Sequence, residues 1–190
     1  MRKILVVDNH DSFVYNLVEL LRANENCTFD VVLSDDLDLD LAEKYDMFLL
    51  SPGAGLPMER PMMMKLIEKY ASSRSMLGVC LGFQALAEAF CGEIYQLPYP
   101  KHGHTSTLNV LESSDLLFKG LPKKFNVGRY HSWVVNPNVL PKGFYISSED
   151  EDGNIMSMTH NTLPLYGVQF HPESIISQYG QQIIDNWIAG

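Results

Sequence analysis

Cysteine is scarce: the 190 residues hold only Cys27, Cys80 and Cys91. An odd, sparse set without C-x-x-C spacing gives no basis for a disulfide framework or a zinc site, and nothing else in the sequence calls for a metal or cofactor. Basic residues are also in deficit, with 14 Lys and Arg against 23 Asp and Glu and a net charge of -9. That balance and the lack of a basic stripe argue against nucleic acid as a partner. Long apolar runs are missing too. Ile4–Val7 and Met47–Leu50 are strand-sized, far below the roughly 20 residues of a membrane span, so no membrane association is expected. The first apolar run is broken at once by Asp8, Asn9 and Asp11, which is not a signal-peptide core; a cytoplasmic location is expected. No Pro/Gly/Ser tract divides the chain, so residues 1–190 are expected to form a single domain.

What is present is an alternation of short apolar runs with helical patterns, the mark of a parallel sheet covered by helices. Strands are expected at Lys3–Val7, Phe29–Leu33, Met47–Leu50 and Met76–Val79. Phe13, Leu17, Leu20 and Leu21 recur at helical spacing, with Asp11 or Ser12 available as N-cap. Further helices are expected at about Pro61–Tyr70, Phe83–Phe90 and Ser177–Trp187. From Thr105 the pattern changes to short candidate strands at 105–111, 125–130, 144–148, 155–159 and 165–170. The fold class expected is therefore α/β, a mostly parallel central sheet flanked by helices with an antiparallel extension. Asp35, Asp36, Asp38 and Asp40, interleaved with leucines, read as a solvated turn leading into a short helix. His102-Gly103-His104 reads as a flexible loop, not as a metal pair.

Gly78-Val79-Cys80-Leu81-Gly82 takes an apolar strand into a helix through G-x-C-x-G. This has the form of a nucleophile elbow, in which the central residue is strained and the glycines avoid clashes as the chain reverses. At the helix N-terminus the sulfur would meet unsatisfied backbone donors and the positive end of the dipole, which favour the thiolate. Taken alone, the same residues also fit a buried cysteine in a glycine-containing loop. A second signal is Gln169-Phe170-His171-Pro172-Glu173-Ser174. Proline keeps His171 extended, and the i, i+2 spacing can set His171 and Glu173 on one side. The carboxylate would fix the imidazole tautomer and leave the other ring nitrogen to move the thiol proton. A strand-end histidine beside a surface glutamate is the plain alternative. Both motifs end expected strands, where sites of α/β folds gather.

The sequence resembles the class I, triad-type glutamine amidotransferases over essentially its whole length, and among them the small subunits of anthranilate and aminodeoxychorismate synthase. Asp8-Asn9-His10-Asp11-Ser12-Phe13, Ser51–Pro57, Gly78–Gly82, Tyr130–Trp133 and Gln169–Ser174 fall in the family's order. The resemblance implies attack by Cys80 on the side-chain amide of L-glutamine, release of ammonia from a γ-glutamyl thioester, and hydrolysis to glutamate, with His171 serving both half-reactions and Glu173 completing the triad. It further implies an oxyanion hole at the backbone N–H groups of Gly55 and Leu81, substrate contacts from Gly53, Gly55, Gln84, Ser132 and Trp133, and a heteromeric partner in the form of a chorismate-binding synthase large subunit. Ala54, Phe83, His104 and Trp133 stand where the family more often has proline, histidine, lysine and leucine. The chain is too short to include the nucleotide-activating region of a fused guanylate-synthesising enzyme, so length and the N-terminal motif point to the chorismate branch. Two other functions fit the same residues: a different elbow-cysteine hydrolase, or a noncatalytic glutamine-responsive subunit.

Overall fold

In β1 (Arg2–Asn9), Ile4, Leu5, Val6 and Val7 are all buried, as a strand covered on both faces requires. A computed structural model describes the chain from Met1 to Gly190 apart from the side chain of His102. After β1 come α1 (Val14–Arg22), β2 (Cys27–Leu33), β3 (Met47–Gly53), α2 (Pro61–Tyr70), β4 (Ser75–Val79) and α3 (Leu81–Ala89). The second half contains β5 (Ile94–Val110), β6 (Lys124–Val135), β7 (Phe144–Glu149), β8 (Ile155–His160), β9 (Leu165–Val168) and α4 (Gly180–Ala189). Among the described residues nine strands form one sheet in the order β2-β1-β3-β4-β9-β8-β7-β5-β6. The five from β2 to β9 run parallel, and the pairings from β9 through β8, β7 and β5 to β6 are antiparallel.

The twofold alternation of β1 and β3 explains why helices cover both faces. Ile4, Val6, Met47 and Leu49 pack with Leu17 and Leu21 of α1 and Ile183 and Trp187 of α4. Leu5, Val7, Phe48 and Leu50 point the other way, onto Leu66 and Ile67 of α2 and Ala85 and Leu86 of α3. Each such side chain contributes about 1.5–3 kcal/mol relative to exposure. Under the antiparallel part, Phe83 and Ala87 of α3 meet Val135, Ile155 and Met158.

Three local expectations change. β5 begins at Ile94 instead of Thr105, and takes in His102–His104 with a register shift opposite Tyr130 and Arg129, where Gly103 has φ +65°. That segment is a bulged strand, not a loop. The early part of β5 was obscured by Pro98 and Pro100, which cannot donate to a ladder; the pairing lapses between Gln96 and Lys101. At α1 the N-cap is Phe13, with no side-chain cap, so neither Asp11 nor Ser12 takes that role. α4 starts at Gly180, after Tyr179 in the left-handed region, because the preceding turn is occupied otherwise: Ser177 Oγ donates to the carbonyl of His171, and its backbone N–H to that of Ser174.

β4 and β9 bring the two chemical motifs together. They are parallel neighbours, with Gly78 opposite Gly167 and Val79 opposite Val168, although the whole antiparallel extension separates them in sequence.

Candidate active site

Cys80 has φ +52° and ψ -100° and stands at the N-cap of α3, a conformation that an L-residue adopts only under constraint. The constraint is visible on both sides. Cys80 N–H donates to Val168 O at 2.8 Å, and its carbonyl accepts from Gln84 N at 3.0 Å. A Cβ at Gly78 would lie 2.4 Å from Gly82 O, and one at Gly82 would lie 2.3 Å from Leu50 O, so the elbow closes only with glycine at both places. Gly82→Ala should therefore lower stability by about 2–3 kcal/mol, read from the urea midpoint; an unchanged midpoint would show that β3 can yield.

Opposite, His171 is held by its backbone as well as its ring. Its N–H donates to Gly128 O of β6 at 3.0 Å. Nδ1 lies 2.6 Å from Glu173 Oε1 with both side chains buried. Nε2 is the nitrogen left to interact with Cys80, and among the described residues it has no other hydrogen-bond partner. Burial pulls the imidazole pKa down, but Cys80 and Glu173 outweigh it and hold the ring well above its ordinary value. A charged imidazole beside the sulfur is thus favoured, an arrangement that can give a proton to a leaving amine.

A cavity of about 490 Å³ opens onto Cys80 between the Gly53–Leu56 loop and the Ser132–Trp133 segment of β6. The loop is fitted to the elbow. A Cβ on Gly53 would come 2.9 Å from Leu81 Cδ2 and 2.6 Å from Asn9 O, while Gly55 has φ +84°. Asn9 anchors it by donating its backbone N–H to Ser51 Oγ and its side-chain amide to Ser51 O. Leu81 N–H belongs to the first turn of α3, where backbone donors have no intrahelical acceptor. Gly53, Gly55, Gln84, Ser132 and Trp133 all line this cavity. Gln84, however, gives both its N–H groups to the protein, to Trp133 O at 2.9 Å and Gln169 Oε1 at 3.1 Å, which leaves only Oε1 for a ligand.

Residues to which sequence reading gave no role in the site also meet here. Asp11, expected as a cap, lies within electrostatic reach of His171 and Glu173. Burial raises its pKa, helped by the charges of Glu173 and Asp8 and opposed by a backbone hydrogen bond at Phe13 and by His171. Because the folded carboxyl holds its proton more tightly than the unfolded one, its ionisation costs stability that enters as pH rises above the ordinary value of 3.8. The thermal midpoint of Asp11→Asn should therefore gain on that of the parent as pH is raised from 4 to 7; an advantage that shrinks would reverse the assignment. Gln169 and Arg129 are the other two, and only the folded sheet reveals them.

The model of the family described as glutamine amidotransferase class-I matches residues 5–189. The chain belongs to that family. A class-I glutamine amidotransferase accounts for the elbow, the buried His–Glu pair and the glycine loop as parts of one site. A Haemophilus influenzae protein assigned as anthranilate synthase component II is 44% identical over 187 residues, covering 98% of this chain and 96% of the relative. Aminodeoxychorismate/anthranilate synthase component 2 of Bacillus subtilis is 37% identical over 188 residues, with 97% and 95% covered. Among solved structures, a Thermoplasma acidophilum protein assigned to GMP synthase, as one of its subunits, superposes with a TM-score of 0.89 at 28% identity, covering 100% of this chain and 93% of that one. Chains of this size thus occur under both names. Length alone does not point to the chorismate branch; the higher identities do.

Two of the family departures have a local account. Phe83 is fully buried and its ring lies where a Cβ on Gly167 would sit, 2.5 Å from Phe83 Cδ2, so here the position after C-L-G serves the packing of α3 on β9. Ala54 lacks the ring that would stiffen its loop, but its carbonyl accepts from Arg60, and Leu56 N–H is taken by Glu59.

Proposed function

We propose that this class-I glutamine amidotransferase is the glutaminase component of a two-component, chorismate-using synthase, of the anthranilate or aminodeoxychorismate type. The observation that carries the proposal is the strained Cys80 at the start of α3 beside a buried His171 whose other nitrogen is fixed by Glu173. The Cys80 thiolate attacks the side-chain amide carbon of L-glutamine. The oxyanion is met by the N–H groups of Gly55 and Leu81, and His171 gives its proton to the leaving ammonia. Water, deprotonated by His171, then cleaves the γ-glutamyl thioester to glutamate. Gln84 Oε1, Gly53, Ser132 and Trp133 hold the amino acid. The enzyme acts as one domain and belongs in the cytoplasm, a reducing compartment that suits a nucleophile needed as a free thiol.

The partner receives ammonia and binds chorismate. Its docking is supported by a second cavity, of about 140 Å³, that reaches His171 and Glu173 between Phe13, Tyr130 and Ile175. Ile175 is fully exposed and Phe13 half-exposed, an apolar rim that a partner would cover. The test is glutamate release from L-glutamine with and without a component I synthase. Release that rises when component I and chorismate are added supports the proposal. No release with component I demonstrably bound would move the chain to a noncatalytic, glutamine-responsive role.

A further inference from the structure

A line of hydrogen bonds runs from a buried cation to the nucleophile. Arg129 Nε donates to His131 Nε2 at 3.0 Å, and His131 Nδ1 lies 3.0 Å from Trp133 O. Trp133 O also accepts from Gln84 Nε2, which donates its second hydrogen to Gln169 Oε1, and Gln169 Nε2 stands 3.6 Å from Cys80 Sγ. All five side chains are buried.

The polarity of this line is fixed by groups that cannot change role. A guanidinium only donates, so His131 Nε2 accepts and Nδ1 carries the hydrogen toward Trp133. A backbone carbonyl only accepts, so Gln84 must present its NH2 to Trp133 O and hence to Gln169 as well. Gln169 must then offer its oxygen to Gln84 and its NH2 to the sulfur. Turning Gln84 over would set its oxygen against Trp133 O and Gln169 Oε1, and turning Gln169 over would set two donors face to face and put an oxygen against Sγ. We infer that Gln169 is a positioning residue for the nucleophile, an N–H donor to Cys80 Sγ whose orientation is imposed from Trp133 O through Gln84.

A donor aimed at sulfur stabilises the thiolate over the thiol and restricts where the sulfur sits on the elbow. It also gives the conformation of the pocket wall a route to the nucleophile, because the carbonyl that sets the orientation lies in the segment proposed to hold substrate. The inference rests on Cys80 being the nucleophile, and the experiment separates the two claims.

The rate of Cys80 alkylation by iodoacetamide is followed by peptide mass spectrometry from pH 5 to 10 in the parent protein, Gln169→Met and Gln169→Glu, with the exposed Cys91 as internal reference. Met keeps the length of the side chain and removes the donor. Its alkylation midpoint should rise by about one pH unit, so that about tenfold less thiolate is present below the midpoint. Glu places a carboxylate against the sulfur and should move the midpoint further. The native titratable groups near the sulfur, His171 with Glu173, Asp11 within electrostatic reach of that pair, and Glu59, Tyr130 and His131 along the cavity, are unchanged in all three proteins, and only Gln169→Glu adds one. A midpoint raised in Gln169→Met over the parent supports the inference, since a residue that merely fills space would not produce it; an unmoved Met midpoint overturns it, and the further rise in Gln169→Glu reports that position 169 faces the sulfur. Parent alkylation of Cys80 no more favourable than that of Cys91 near neutral pH would sink the nucleophile itself. A reactive parent Cys80 with midpoints unmoved in both variants would overturn the role of Gln169 alone. In the unmodified protein the side-chain amide resonance of Gln169 should titrate with the midpoint found by alkylation, and a flat titration would equally overturn it.

Discussion

Arg129→Met should destabilise the protein by about 3–5 kcal/mol, the usual consequence of leaving a buried charge without its partner. Arg129 Nη1 pairs with Asp150 Oδ2, and neither side chain is exposed at all. Asp150 is not free to turn to water. Its Oδ1 already accepts from Asp152 N and Asn154 N, and its Oδ2 from Asn154 Nδ2, so the tight turn between β7 and β8 is built around an ionised carboxylate. Arg129 also donates through Nη1 to Ser106 Oγ of β5, so its loss affects β5, β6 and the β7–β8 turn together. Chemical denaturation of the single variant measures the loss. The double variant Arg129→Met, Asp150→Asn should recover more than half of it, because the amide retains an oxygen for the turn without requiring a counter-charge. No recovery would mean that packing of the guanidinium stem, not the uncompensated charge, dominates.

Cys80→Ala should reduce glutamine hydrolysis by about 10⁴-fold or more while leaving the fold in place, as removal of a covalent nucleophile does elsewhere. The fold should survive because alanine also has a Cβ and meets the same strain at φ +52°. What is lost is the sulfur, its contact with Gln169 and its pull on the His171 proton. Stability is expected to change by no more than about 1 kcal/mol. Glutamate release from the variant, measured with the synthase partner present, is the decisive reading. Turnover within tenfold of the parent would remove Cys80 from the mechanism and leave the strained elbow without a chemical purpose.

The parallel half of the sheet was legible because its strands are short continuous apolar runs bounded by turns, as Ile4–Val7 and Met47–Leu50 show. The proposed triad was legible for a different reason: its geometry is local. Cys80 is framed by Gly78 and Gly82, and Glu173 reaches His171 across a single proline. Where function depends on pairing across the sheet, the sequence is silent. Gln169 meets Cys80 at a separation of 89 residues, and its amide looks like any strand residue until β9 lies beside β4. Asp11 has the spacing of a helix cap and instead sits half-buried within electrostatic reach of His171 and Glu173, while Phe13 takes the cap position. The beginning of β5 was hidden by two prolines that the sheet tolerates through a lapse in register. Length, finally, was a weaker guide to the synthesis branch than identity, since proteins under both names share this fold and size.

The adjacency of β4 and β9 has a consequence for biosynthesis of the chain itself. Cys80 and Val79 leave the ribosome well before Val168 and His171 do, and the site stays incomplete until β9 inserts between β4 and β8. This insertion closes a long loop and is a slow kind of step. Until it happens the thiol has neither the Val168 carbonyl that fixes its backbone nor the imidazole that takes its proton. A growing or arrested chain therefore carries Cys80 without these partners, and they arrive with the same event that finishes the sheet. The intervening extension supplies Ser132 and Trp133 to the cavity wall, so the far side of the cavity is completed by the same long loop that folding has to close.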